Sequence, residues 1–82
     1  MNPRVKYVVP DKDYNLIITF SNCEIKRFDV KPYLNIGVFK ELYDIDIFNS
    51  VKPFLGSIHW SNGLDLCPDT LYEESIAVHQ IV

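Results

Sequence analysis

The chain has 82 residues and a formal net charge of −3, which leaves room for one hydrophobic core and so for a single domain, residues 1–82. Hydrophobic residues at 48% and charged residues at 23% exclude a disordered tail. No apolar run nears the roughly 20 residues that span a bilayer, and Met1-Asn2-Pro3-Arg4 opens without the apolar segment of a signal peptide. The expectation is a soluble, cytoplasmic domain with no membrane partner.

Residues 4–29 read as a three-stranded antiparallel meander with one buried face. Val5, Tyr7 and Val9 alternate with Arg4 and Lys6, and Pro10-Asp11-Lys12-Asp13 supplies turn chemistry. Tyr14, Leu16, Ile18 and Phe20 form the next period-2 row, after which Ser21-Asn22-Cys23 reverses the chain. In the third segment, Glu24 to Asp29, Lys26 and Arg27 break the alternation between Ile25 and Phe28. Such a parity shift predicts a bulge or an early strand end.

The middle reads as two short helices. Pro32 suits a first helical turn, Gly37 interrupts, and Val38, Phe39 and Leu42 follow at helical spacing. Asp44 is placed to cap a second helix carrying Ile45, Ile47 and Phe48. Short strands return at Val51–Leu55 and Ser57–Trp60, flanking Gly56. Asn62-Gly63 reads as a two-residue hairpin turn before Leu64-Asp65-Leu66, and Pro68-Asp69 opens a short helix through Glu74. The apolar segment Ile76–Val82 is either an inner strand closing the sheet or an exposed strand that pairs with another chain. The class is α+β: an N-terminal three-stranded antiparallel meander, two short helices, then short C-terminal β-hairpins and a short helix.

Charge is divided along the chain. Residues 1–31 sum to +2 and residues 32–82 to −5, a split that can mark a partner-binding surface. The acids of the second half, Glu41, Asp44, Asp46, Asp69, Glu73 and Glu74, are the candidates to face a basic protein partner. Arg4, Lys6 and Lys26, expected to point outward from adjacent strands, form a candidate basic face for nucleic acid. The overall acidity favours the plainer role of keeping the sheet soluble. A chain of this size with an apolar tail is also a candidate homo-oligomer.

Chemistry has one candidate cluster: His59, Asp65, Cys67 and Asp69 contain a nucleophile, a base and orienting carboxylates. Each has a structural explanation. Cys67 before Pro68 suits a small buried residue, Asp69 suits a helix N-terminus, and no oxyanion-hole pattern accompanies them. No enzyme is expected. His59 and His79 lie too far apart for a helical ligand pair, Cys23 and Cys67 have no knuckle spacing, and the glycines are isolated. No metal, phosphate loop or cofactor is expected.

The second half carries recognisable motifs. Asp29-Val30-Lys31-Pro32-Tyr33-Leu34, Gly37-Val38-Phe39-Lys40-Glu41-Leu42, Phe48 and above all the run from Ile58-His59-Trp60 through Asn62-Gly63-Leu64-Asp65 to Pro68-Asp69 and Tyr72 resemble the family called domain of unknown function 2442, over roughly residues 3–78. The resemblance implies a small bacterial α+β fold. It also implies a neighbouring small protein as partner, the pair having been proposed as a toxin–antitoxin module with this family as antitoxin. It brings no catalytic residues. Read physically, Trp60, Asn62, Gly63, Asp65, Pro68 and Asp69 are architecture: core, turn, a carboxylate that accepts backbone hydrogen bonds, and a helix start. One departure is local: Cys23 follows Asn22 where members commonly have glycine, so either a type I′ turn puts a non-glycine residue at positive φ there or the loop adopts another type. The expected function is a small interaction protein that binds and neutralises a protein partner; the alternative is a ligand- or nucleic-acid-binding accessory domain.

Overall fold

A computed structural model of the chain describes residues 2–78. In order, the elements are β1 (Val5–Asp11), β2 (Asn15–Phe20), β3 (Ile25–Asp29), 3-10 turns at Lys31–Tyr33 and Gly37–Tyr43, α1 (Ile45–Phe48), β4 (Lys52–Phe54), β5 (Ser57–His59), β6 (Asp65–Leu66), α2 (Pro68–Glu74) and β7 (Ile76–Ala77). The fold is α+β. One antiparallel sheet has the order β1-β2-β3-β7 and a smaller one the order β4-β5-β6. The sheets meet where the Val5 amide donates to the Gly56 carbonyl at 2.9 Å.

The core follows the β2 alternation. Leu16, Ile18 and Phe20 are buried, with Phe28, Val30, Leu34, Leu42, Phe48, Ile58, Trp60 and Leu71 packed against them from every other part of the chain. Asp44 caps α1 as expected, its carboxylate accepting the Asp46 amide at 3.0 Å. Trp60 is core: its indole Nε1–H donates to the Phe48 carbonyl at 3.1 Å.

Parity departs from expectation in β1 rather than β3. The register of β2 with β3 runs unbroken from Asn15↔Asp29 to Thr19↔Ile25, whereas β1 slips between Val5 and Tyr7. The extra residue, Lys6, is a bulge. Val5 therefore faces inward, but beyond it Val8 and Pro10 take the inner positions, and Tyr7 and Val9 turn out to solvent. The β3 alternation needs no bulge because Lys26 occupies a core-side position opposite Ile18. Tyr14 is likewise not a strand residue. It sits in the β1–β2 turn at φ +58, directing its ring against Phe48 with centroids 5.1 Å apart and its hydroxyl to the Tyr43 carbonyl.

The two expected hairpin turns share one geometry, and it is not a two-residue turn. In Phe20–Glu24 and in Trp60–Leu64 the fourth residue donates its amide to the carbonyl of the first, and the first donates to the carbonyl of the fifth. The Asn22 and Asn62 side chains each accept the amide two residues on. Only the fourth residue takes positive φ, Cys23 at +72 and Gly63 at +89, so both are three-residue loops closed by a bulge. The Ile76–Val82 segment enters the sheet at its edge: Ile76 and Ala77 pair with β3, and residues 79–82, His79 among them, lie outside the described residues.

The twin loops give a direct comparison. Replacing Cys23 with Gly relieves a left-handed strain of about 1–2 kcal/mol, offset in part by the greater entropy of unfolded glycine. The expected gain is about 0.5–1 kcal/mol in urea melts. A Cβ on Gly63 meets no atom within 4 Å, so Gly63→Ala isolates the backbone penalty and is expected to destabilise by about 1 kcal/mol. A shift of the same sign for both variants would contradict this geometry.

Candidate functional site

Three surfaces hold the residues singled out from the sequence. The first is the outward face of the large sheet. Cross-strand register places Tyr7, Thr19 and Ile25 in one row and Val9, Ile17, Arg27 and Ile76 in the next, with Asp11, Asn15 and Asp29 closing one end. An open antiparallel sheet ordinarily turns a polar face to water, yet Tyr7 is 59%, Val9 58% and Ile76 74% exposed.

The second is a network on the opposite side, where α2 packs against the core side of β3. The Lys26 ammonium donates to the Tyr72 carbonyl at 2.8 Å and lies 3.8 Å from the centre of the Tyr72 ring. It thereby supplies a cation to the C-terminal end of a helix whose last turn has none. The Tyr72 hydroxyl donates to Glu24, which also accepts from Asn22. These donors, Tyr72 foremost, hold the Glu24 carboxyl below its ordinary range, and the same bond raises the Tyr72 phenol. Lys26 therefore does not join Arg4 and Lys6 in an outward basic face. Those two are exposed, with Arg4 lying across Gly56.

The acids of the second half are exposed but spread around the molecule, and most serve the fold. Asp69 and Glu73 accept from Asn2, at 3.2 and 2.8 Å, and Glu41 accepts from Asn62 at 3.1 Å. Asp44 is the α1 cap, and Glu74 accepts the Tyr33 hydroxyl at 2.6 Å. Asp46 is exposed in the first turn of α1.

The third surface is the outer face of the small sheet. The register sets His59 opposite both Lys52 and Asp65, and Phe54 opposite Ser57. Continuing that register by one pair brings Cys67 beside Ser57. Three members of the His59, Asp65, Cys67 and Asp69 cluster thus share one face, but no hydrogen bond joins His59 to Asp65 or to Cys67. The imidazole is instead stacked on the Phe54 ring at 4.3 Å. Cys67 is an exposed free thiol rather than a buried apolar residue. Asp65 is exposed too and accepts no hydrogen bond from the described residues; the backbone acceptor expected of it is Asn62. Beside this face is a concavity of about 330 Å³ walled by Phe54, Leu55, Ser57, Asp65, Cys67 and Pro68. Sequence reasoning missed Phe54 and Leu55 here. The β4–β5 turn puts Leu55 at φ +49 and 82% exposure, and an uncharged leucine at a tight turn was the available signal. Among the described residues no group of three His, Cys, Asp or Glu side chains is placed to hold a metal ion, and no helix is long and apolar enough to cross a membrane.

Two measurements check this geometry. Hydrogen bonding to Glu74 pushes the Tyr33 phenol up to about 12. Since this folded value lies above the ordinary 10, the bond stabilises fully below pH 10 and its contribution is lost as pH rises toward 12. In absorbance titration at alkaline pH, Glu74→Gln is expected to bring the Tyr33 phenol down from its raised value. Trp60→Phe keeps most of the apolar contact but removes the indole donor from the Phe48 carbonyl, which keeps the Val51 amide at 3.4 Å, at an expected cost of about 0.5–1.5 kcal/mol in denaturant melts.

A family model described as a protein of unknown function, DUF2442, matches residues 5–77. No curated protein and no solved structure matches the chain. The match runs from the first residue of β1 to the last of β7, taking in both sheets and every surface just described, and the chain belongs to the DUF2442 family.

Proposed function

We propose that this chain is a cytoplasmic protein-binding module that acts by covering its partner, as the antitoxin half of a toxin–antitoxin pair. The observation that carries the reading is the outward face of the large sheet. Tyr7, Val9 and Ile76 stand exposed around half-buried Ile17 and Ile25, with Arg27 the charged side chain among them. Exposed apolar patches of this kind mark interaction surfaces, and an aromatic beside branched aliphatics is what binding hot spots are made of. The neighbouring small protein that goes with the family supplies the kind of partner. A nucleic-acid reading would rest on Arg4 and Lys6 alone, because Lys26 turns inward.

Co-expression with the product of the adjacent gene is expected to give a complex on size-exclusion chromatography and to rescue growth. Val9→Lys and Ile76→Lys are expected to weaken that complex about tenfold each, with the circular dichroism of the free chain unchanged. Absence of both complex and rescue would sink the reading.

A further inference from the structure

The concavity on the small sheet has a composition that the sheet-face reading leaves unused. Its walls combine two exposed apolar side chains, Phe54 and Leu55, with one carboxylate, Asp65, that no described group neutralises or bonds. Phe54 is held parallel to the His59 imidazole at 4.3 Å, which fixes the ring. Ser57 adds no free donor, since its hydroxyl is spent on the Leu66 carbonyl. Among the described residues no basic side chain lines the space; Lys52 stands two strands from Asp65, on the far side of His59. At about 330 Å³ the space is at the small end of ligand pockets and larger than one side chain needs.

We infer that this concavity is an anchor pocket for a basic side chain of the protein partner, the aliphatic stem lying on Phe54 and Leu55 and the cationic head meeting the Asp65 carboxylate. Long basic side chains bury their stems on apolar surface while the charge seeks a carboxylate or an aromatic face, and the pocket offers all three within one wall. The inference rests on the protein-binding reading and adds to it a second contact, on the small sheet instead of the large one.

The test uses the full chain and the blocked peptide acetyl-Gly-Arg-Gly-amide, followed by amide chemical shifts. Saturable changes are expected at Leu55, Ser57, Asp65 and Cys67, weakening with salt and about fivefold in Asp65→Asn. The same peptide with norleucine for arginine is expected to bind several-fold more weakly, and so is free arginine, whose own carboxylate is repelled by Asp65. Scattered shifts, indifference to Asp65→Asn, or equal binding of the norleucine peptide would overturn the anchor pocket. Tighter binding of free arginine would overturn it in favour of a small-molecule site. In the partner complex, disruption by Val9→Lys without any effect of Asp65→Asn overturns the pocket and leaves the protein-binding reading standing. Absence of any complex removes that reading, while the peptide titration still decides the pocket.

Discussion

A buried hydrogen bond, from the Trp60 indole to the Phe48 carbonyl, ties the small sheet to the helical segment that lies between the two sheets in the chain. Trp60 ends β5, and Phe48 ends α1, whose ring packs on Tyr14 in the turn between β1 and β2. α1 is one turn long and cannot persist alone in water. It is fixed by this bond at its end, by the Asp44 cap at its start and by the Tyr14 ring beneath it. The left-handed backbone at Tyr14 is strained for an aromatic residue, and its ring and hydroxyl contacts with the helical segment are what hold it there. Beside the indole bond, the Ser61 amide donates to the Ser50 hydroxyl, and Leu42 and Phe48 share the core with Ile58 and Trp60, so the helical segment is held to the small sheet by packing as well.

Local chemistry was readable from the residues, and long-range pairing was not. The buried row Leu16, Ile18 and Phe20, the Asp44 cap and the Pro68–Glu74 helix depend on neighbours within a few positions, and each stands where the pattern puts it. Lys26 was misplaced because the carbonyl that receives it is 46 residues away, and no periodicity within β3 reports that bond. The parity shift in β3 suggests a bulge or an early strand end for the same reason: an inward lysine imitates a slipped register. Asn62-Gly63 announces a reversal, but the choice between a two- and a three-residue loop is made by the amide bond to the Trp60 carbonyl. The cluster of His59, Asp65 and Cys67 was visible as a set, and only the strand register gave it a common face. Phe54 and Leu55, which give that face its shape, carried no motif.

The charge division along the sequence acquires a different meaning in three dimensions. Five of the six acids proposed to meet a partner accept hydrogen bonds within the chain, holding Asn2, the first 3-10 turn, the start of α1 and the Trp60–Leu64 loop in place. Their negative field still surrounds those points, but their first role is mechanical. The surfaces without an internal role are the apolar sheet face and the Asp65 concavity, and the proposals above rest on these.

The two edges of the large sheet are unlike, and this gives the sheet a direction. On the β1 side stand the Lys6 bulge, Pro10 with no amide to donate, and the bond from Val5 into the small sheet, each a device that discourages another strand. On the β7 side, Ile76 and Ala77 carry no charge, no proline and no bulge. Among the described residues, the β7 edge therefore carries fewer obstacles to an added strand than the β1 edge does. A chain clipped before Ile76 would move that open seam inward to β3, where Arg27 and Asp29 make a far less welcoming border.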